Sequence, residues 1–208
     1  MGSPPFSRSR GIALAATFAA LISVASPVSI PLGPVTPVPI TLQVFLVYLV
    51  AALLGARYGA ISMVIYVILG AVGIPVFAGL SGGTAVLVGP TGGYLFAFPV
   101  ASLLGGAVAG RRAATRRSDL FRVALSFLVA LVVIYGIGVV WLSNYLGLSL
   151  VDGTFLGAIP FIPVDLLKAV VAVPIAVRLR WSTLQLPVNV GRTRRPALRN
   201  GPVDPISS

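Results

Sequence analysis

Cysteine and histidine are absent from this 208-residue sequence, and the only acidic residues are four aspartates. Without thiols and imidazoles, the chain cannot form a disulfide, use a cysteine nucleophile or a histidine base, or build an ordinary zinc or haem site. These absences remove the groups that most enzyme mechanisms require. We therefore expect a protein that is not an enzyme and that holds neither a metal ion nor a cofactor.

Lysine occurs once, at Lys168, in the sequence Asp165-Leu-Leu-Lys168-Ala169. A Walker A loop needs a lysine that follows glycine and precedes serine or threonine, so this chain has no ATP site of that kind. Any ATP that drives its function is expected to be hydrolysed by another subunit.

Charged residues make up only 9% of the sequence, whereas 57% of the residues are hydrophobic. No charge occurs between Arg10 and Arg57, between Arg57 and Arg111, or between Arg122 and Asp152. A soluble domain needs charged surface, while uncharged stretches of this length are typical of chain that lies in lipid. The sequence therefore predicts an integral membrane protein.

Clusters of proline and glycine divide the apolar sequence into six segments, each close to the roughly 17 to 25 helical residues that cross a bilayer core. We therefore predict an all-α fold of six transmembrane helices over residues 11–180, with an N-terminal segment 1–10 and a tail 181–208. The tail is basic, lacks apolar periodicity and is predicted to be disordered, where it could rest on anionic lipid headgroups. The six segments run approximately over residues 11–27, 40–55, 58–78, 94–110, 121–143 and 154–178.

The arginines all fall on one side of this arrangement: at both ends of the chain and in the connections that follow segments two and four. Because short cytoplasmic loops retain arginine and lysine, both termini are predicted to be cytoplasmic, in a plasma-membrane protein. This topology accounts for the net charge of +11 without a nucleic-acid partner.

Segment one also fits a cleaved signal peptide, because Arg8 and Arg10 precede it and the small residues Val24-Ala25-Ser26 lie at its end. Its length nevertheless suits a retained helix.

The first outer connection carries five prolines within residues 27–39. This spacing forbids a helix and favours an extended, polyproline-like strap. A stiff apolar strap is better placed over a protein cavity than in water, although a rigid spacer remains the alternative.

The second outer connection, residues 77–94, holds six glycines within residues 79–93. Glycine allows positive φ and lets the backbone approach a ligand closely. Because non-helical backbone at membrane depth must be satisfied by protein or by a cavity, we expect a loop that contacts a ligand. The alternative is a turn that simply reverses the chain.

Asp165 and Lys168 lie three residues apart in segment six, so both side chains share one face of a helix. Ions are costly at mid-membrane, and such residues usually face the bundle interior and serve a function. Counted from Arg178 at about 1.5 Å per residue, Lys168 lies about 15 Å and Asp165 about 20 Å into the membrane, within reach of both outer connections. An ion pair that only fixes packing, or a proton relay, are the alternatives.

Two further groups of residues are weaker candidates. Asn144, Trp141 and Tyr135 in segment five could add polar or stacking contacts, although Trp and Tyr there are more often interface anchors. Segment one has small residues at i, i+4 spacings that let a second helix approach closely, either within the chain or in a partner. These residues are Ala15, Ala16, Ala19 and Ala20.

Five motifs occur along the chain in the order Ile30-Pro-Leu-Gly-Pro34, Val38-Pro-Ile-Thr-Leu-Gln43, Gly70-Ala-Val-Gly-Ile-Pro75-Val-Phe-Ala-Gly79, Gly89-Pro-Thr-Gly-Gly-Tyr94 and Pro163-Val-Asp165-Leu-Leu-Lys168. With these motifs the sequence resembles the BioY family, the biotin-specific substrate-binding (S) components of energy-coupling-factor (ECF) transporters. The resemblance covers about residues 11–178, and the run Gly89–Tyr94 is its most specific part. The tripeptide Val35-Thr36-Pro37 and the long basic tail depart from the family pattern.

By this resemblance the chain is a six-helix S component that binds biotin on the outer side with high affinity. It implies as partners a transmembrane coupling subunit, docked through the small residues of helix one, and two ATPase subunits that supply the energy. A stand-alone or proton-coupled carrier for a small vitamin-like solute is the alternative function. The predicted substrate-binding residues are Asp165, Lys168, Tyr94, Gly93, Gly92, Thr91, Ser81, Gly82, Gly83, Gln43, Phe77 and Asn144.

Overall fold

The computed structural model describes residues 8–182. Most of this length is helical, as predicted. Residues 1–7 and 183–208, which include most of the predicted N-terminal segment and almost all of the predicted disordered tail, lie outside the described residues. The elements are α1 (Arg8–Ala25), β1 (Ser29–Ile30), β2 (Ile40–Thr41), α2 (Gln43–Ala71), α3 (Thr84–Val88), α4 (Gly92–Ala109), α5 (Arg116–Leu146), α6 (Leu150–Gly157) and α7 (Ile162–Trp181).

Helix α2 reverses direction at Gly55, where the backbone is non-helical with φ 71° and ψ −175°. This left-handed φ strains any residue with a side chain, so glycine suits the position. Gln43 donates to the Tyr66 hydroxyl over 2.6 Å, although residues 23 apart would be about 35 Å apart in a straight helix. The stretches 43–54 and 56–71 are therefore antiparallel, and the chain turns at the place predicted between segments two and three.

The predicted sixth segment consists of two helices, because α6 and α7 meet at an angle of 52°. Pro160 and Pro163 lie at this bend, and each lacks the amide hydrogen that a continuous helix would need. By length and hydropathy, α1, α2, α4 and α5 can each cross a membrane, and the bent pair α6–α7 makes a fifth span within residues 8–182. These five spans agree with the predicted multi-pass membrane protein. The count takes α2 as one span, although it covers predicted segments two and three.

Small residues allow the helices to pack closely around α2 and α4. A side chain at Gly106 of α4 would overlap the backbone at Gly55 and Ala56, so this contact requires glycine. Helix α1 also packs on α2, where glycine at position 11 makes room for the ring of Tyr58. Close backbone approach of this kind is how helices associate in lipid, where the hydrophobic effect does not drive them together.

A buried ion pair joins four helices at one end of the bundle. The Arg180 Nε lies 3.1 Å from Asp119 Oδ2, and the two side chains are 2% and 0% exposed. Arg180 also donates to the carbonyls of Ala52, Ala109 and Gly110, where the first half of α2 and helix α4 end. The guanidinium therefore satisfies carbonyls that the helix ends leave without partners. Arg180 is one of the C-terminal arginines that the one-sided charge pattern predicts at the membrane surface, but the fold buries it.

Candidate functional site

A cavity of about 430 Å³ opens at the opposite end of the bundle from the Arg180–Asp119 pair. Its walls come from both predicted outer connections and from the adjacent ends of α2, α4, α5 and α7. A volume of this size is within the range of pockets that enclose a small organic ligand. Most of its lining is apolar or aromatic, including Val38, Ile40, Val44, Phe77, Val86, Leu95, Phe98, Ile134 and Phe161.

The proline-rich connection lies over this cavity, as predicted, but it forms a β-hairpin and not a polyproline strap. Ser29 pairs with Thr41 and Ile30 with Ile40 in an antiparallel register, and a 3-10 turn spans Gly33–Val35. The paired positions are all occupied by residues other than proline, so their amides can form the ladder that proline cannot. Pro27 precedes β1, and the other four prolines lie in the loop between the paired strands, where Pro37 and Pro39 line the cavity.

The glycine-rich connection forms the facing wall. It contains a bridge between Phe77 and Ser81 and the short helix α3, and several of its residues line the cavity. The indole nitrogen of Trp141 on α5 donates to the Gly89 carbonyl over 2.8 Å and holds the loop in place. The prediction that both outer connections meet at one site is therefore consistent with this geometry.

Asp165 and Lys168 line the cavity and form an ion pair, with Lys168 Nζ 2.7 Å from Asp165 Oδ1. Lys168 also donates to the Thr41 carbonyl in β2, and the Tyr135 hydroxyl donates to Asp165 Oδ2, each over 2.7 Å. Asp165 is only 3% exposed. The pair thus has neighbours on the hairpin and on α5, and one ammonium hydrogen of Lys168 has no partner among the described residues.

Gln43 connects the hairpin to the glycine-rich loop. Its side-chain oxygen accepts from Thr41 Oγ1 over 2.9 Å, and its nitrogen donates to the Tyr66 hydroxyl. Tyr66 in turn donates to the Val76 carbonyl over 3.2 Å. Both polar ends of Gln43 are therefore engaged by the protein, so this side chain holds two walls of the cavity in register.

The structure brings seven of the twelve predicted substrate-binding residues to the cavity wall. Tyr94 is one of them, and its hydroxyl also donates to the Gly157 carbonyl over 2.8 Å, at the end of α6. The seven are Gln43, Phe77, Ser81, Thr91, Tyr94, Asp165 and Lys168.

The other five, Gly82, Gly83, Gly92, Gly93 and Asn144, lie outside the lining of the cavity. A Cβ at Gly82 would overlap the Ile74 carbonyl, one at Gly92 the Leu87 carbonyl, and one at Gly93 the side chain of Trp141. Gly83 has φ 92° and is the N-cap residue of α3. These glycines are thus needed for the shape and packing of the loop.

Asn144 occupies the exposed face of α5, where its side chain donates to the Val140 carbonyl one turn earlier. It lines a shallow outer groove with Trp141 and Tyr145. Asn144 lies near the end of α5 that is on the cavity side of the bundle, but its side chain points away from the cavity.

Thr41 and Tyr135 belong to the site although neither was among the twelve. Thr41 contributes a backbone carbonyl, which no side-chain pattern reveals, and Tyr135 had been considered only as one of three weak candidates on segment five. Both line the cavity. The sequence signal for Tyr135 was a side chain in segment five that could add a polar or stacking contact.

The cavity combines apolar walls with one ion pair whose formal charges cancel. Such a site suits a compact, largely apolar molecule that carries a few hydrogen-bonding groups. A carboxylate acceptor and an ammonium donor side by side can orient a ligand that offers both a donor and an acceptor.

Comparison with known proteins agrees with this architecture. The model of the BioY family matches residues 3–185. The probable biotin transporter BioY of Pyrococcus horikoshii is 44% identical over 176 residues, which are 85% of this chain and 99% of that protein. The biotin transporter BioY of Thermotoga maritima is 46% identical over 171 residues, 82% of this chain and 96% of that protein.

A solved structure has the same fold. The crystal structure of the S-component for biotin from an ECF-type ABC transporter matches with a TM-score of 0.72 and 29% identity, over 85% of this chain and 95% of that one. Family model, relatives and fold agree over nearly the whole described length. The chain therefore belongs to the BioY family.

Proposed function

We propose that this protein is the biotin-binding S component of an ECF-type importer. The observation that carries the proposal is the ion pair of Asp165 and Lys168 in an otherwise apolar cavity. Relatives named as biotin transporters, and a solved S-component for biotin, support the choice of ligand.

Biotin fits the chemistry of this cavity. Its fused rings and aliphatic chain suit the apolar walls, while its ureido group offers N–H donors and a carbonyl acceptor. Asp165 accepts from, and Lys168 donates to, polar groups of the vitamin, and the hairpin and glycine-rich loop close over it. The ligand-contacting side chains are those that line the cavity, so we leave Gly82, Gly83, Gly92, Gly93 and Asn144 out of the proposed contact set.

The direct test is the ligand content of protein purified in detergent from biotin-fed cells. Mass spectrometry of the denatured sample should detect biotin in a molar amount close to that of the protein. Calorimetry on protein stripped of ligand should then give tight binding of biotin and none of thiamine or riboflavin. Protein that neither retains nor rebinds biotin contradicts the proposal.

We further propose a plasma-membrane topology of six crossings with both termini in the cytoplasm. The two antiparallel stretches of α2 count as separate crossings, and α6–α7 counts as one. The arginine-rich ends and connections then lie inside. The cavity lies at the opposite end of the bundle and captures biotin from the extracytoplasmic side.

Single-cysteine labelling tests this topology without background, because the sequence has no cysteine. Leu150→Cys, an exposed position before the cavity end of α7, should react with a membrane-impermeant maleimide added to intact cells. Ala114→Cys, an exposed position in the basic connection, should react only after the cells are opened. The reverse pattern would place the cavity in the cytoplasm.

The energy for uptake comes, in this proposal, from a transmembrane coupling subunit and two ATPase subunits, and the chain itself is not an enzyme. Helix α1 is the proposed docking helix. Ala15 and Ala19 are buried against the rest of the chain, whereas Ala16 and Ala20 are exposed. Ala15 and Ala19 therefore pack within the chain, and the proposed docking face carries Ala16 and Ala20.

Leucine at Ala16 and Ala20 should prevent close approach of a partner helix, because small residues at i, i+4 allow backbones to meet. We expect the double variant to lose co-purification with the coupling subunit, about tenfold or more, while it binds biotin like the parent. Ala124→Leu, at an exposed position of α5, is the matched control and should leave both unchanged. Full co-purification of the double variant would show that the docking face lies elsewhere.

The alternative function, a proton-coupled secondary carrier, makes a different prediction. Uptake would then collapse with the proton gradient while ATP remains.

A further inference from the structure

A second groove lies at the end of the bundle opposite the cavity, between the start of α5 and the last turns of α7. Its volume is about 660 Å³. Three of its lining residues are arginines and three are apolar. They are Arg116, Arg117, Arg178, Leu120, Pro174 and Val177.

The three arginines are exposed and present uncompensated positive charge. Among residues 8–182 the ion pairs are Lys168–Asp165 and Arg180–Asp119, so none of the three has a carboxylate partner there. Asp119, the acidic residue of the same helix turn, is fully buried and occupied by Arg180 and Trp181. The first turn of α5 adds the positive end of a helix dipole beside Arg116 and Arg117. The groove therefore favours an anion.

The apolar side of the groove continues into the outer surface of α7. Leu120 is 48% exposed, and Val170 and Leu167, further along α7, are also exposed. In a protein that crosses a membrane, such a surface faces acyl chains. A soluble anion would use only the arginines, whereas a lipid with an anionic headgroup would use both halves of the groove.

We propose that this groove binds one anionic phospholipid, with its phosphate between Arg116, Arg117 and Arg178 and an acyl chain along Leu120, Pro174 and Val177. Arginine suits this role because its planar guanidinium donates paired hydrogen bonds to phosphate oxygens. The bound lipid would bridge α5 and α7 at the end remote from the cavity, and the proposal does not depend on biotin.

The test is native mass spectrometry of delipidated full-length protein, titrated with phosphatidylglycerol or phosphatidylcholine. The variant Arg116→Gln/Arg117→Gln/Arg178→Gln is compared with Arg8→Gln/Arg57→Gln/Arg111→Gln, which removes the same charge from arginines outside the groove. We expect the parent and the control to hold one phosphatidylglycerol in preference to phosphatidylcholine. The groove variant should bind it about a hundredfold more weakly.

Other outcomes overturn the proposal. Equal phosphatidylglycerol affinity in the groove variant and the control would show that only net charge matters. Displacement of the lipid by millimolar inorganic phosphate would indicate a site for soluble phosphate. Unchanged lipid binding with lost co-purification of ECF subunits would indicate a protein-docking surface. If the triple variant does not fold, Arg178→Gln alone should weaken lipid binding about fivefold, and an unchanged affinity would overturn the proposal.

Discussion

Asp165→Asn and Lys168→Ala should each weaken biotin binding roughly tenfold to a hundredfold or more. Calorimetry on folded protein measures the change in affinity. Each change removes a charged hydrogen-bonding group from a largely buried site, and such bonds contribute about 1.5 to 3 kcal/mol. Asp152→Asn is the matched control, because this aspartate is exposed near the same end of the bundle but lies outside the cavity lining. It should bind biotin like the parent.

The double variant Asp165→Asn/Lys168→Met separates ligand binding from simple packing. Each single change leaves one uncompensated charge in a low-dielectric site, which destabilises the empty protein. The double variant removes both charges and should recover stability relative to the single variants. If the pair contacts biotin, the double variant still binds weakly. Parent-like binding by the double variant, or by both single variants, would show that the pair serves only the fold.

Asp119→Asn should have the largest effect on stability. It removes the countercharge of Arg180, which is 2% exposed and cannot move into water without disrupting the ends of α2 and α4. Breaking a buried pair in this way costs about 3 to 5 kcal/mol, so the melting temperature in detergent should fall by roughly 6 to 20 °C. Asp152→Asn alters an exposed carboxylate that accepts a hydrogen bond from Ser149 at the start of α6, so it should cost about 1 kcal/mol or less.

Two further measurements make this prediction specific. Asp119→Asn/Arg180→Gln removes both charges and keeps a hydrogen-bond donor at residue 180, so it should melt at a higher temperature than Asp119→Asn alone. Biotin affinity should stay at the parent value in the folded fraction of either variant, since the pair lies at the opposite end of the bundle from the cavity. A melting temperature equal to that of the parent would show that Arg180 is solvated or paired elsewhere.

Much of the architecture could be predicted from local features of the chain. Uncharged apolar stretches require lipid, and the break between segments two and three was placed correctly near Gly55. The bend at Pro160 falls inside the predicted sixth segment, where proline lacks the amide hydrogen that a continuous helix needs. The Asp165–Lys168 contact was also predictable, because three residues along a helix return to the same face. These inferences involve residues that are close in sequence, where backbone geometry alone determines the result.

The role of each glycine could not be predicted from the sequence. Gly92 and Gly93 were predicted to contact a ligand, but they allow the chain to pass the Leu87 carbonyl and the Trp141 side chain. Glycine serves loops near ligands and close packing equally well, so its presence does not distinguish the two. Likewise, the proline-rich connection was correctly placed over the cavity, but its hairpin was not predicted. The pairing of Ile30 with Ile40 depends on how two separate stretches of chain align, which local sequence does not reveal.

Composition and local spacing determined that the chain crosses a membrane, where it breaks, and which two charges share a helical face. Only tertiary packing decided what meets those charges. The Thr41 carbonyl reaches Lys168 from 127 residues away, and Tyr135 reaches Asp165 from another helix. Arg180 reads as one more surface arginine, yet packing encloses it with Asp119 because four helix ends meet around it. Helix crossings set these contacts, and they depend on the shapes of all the packed faces together.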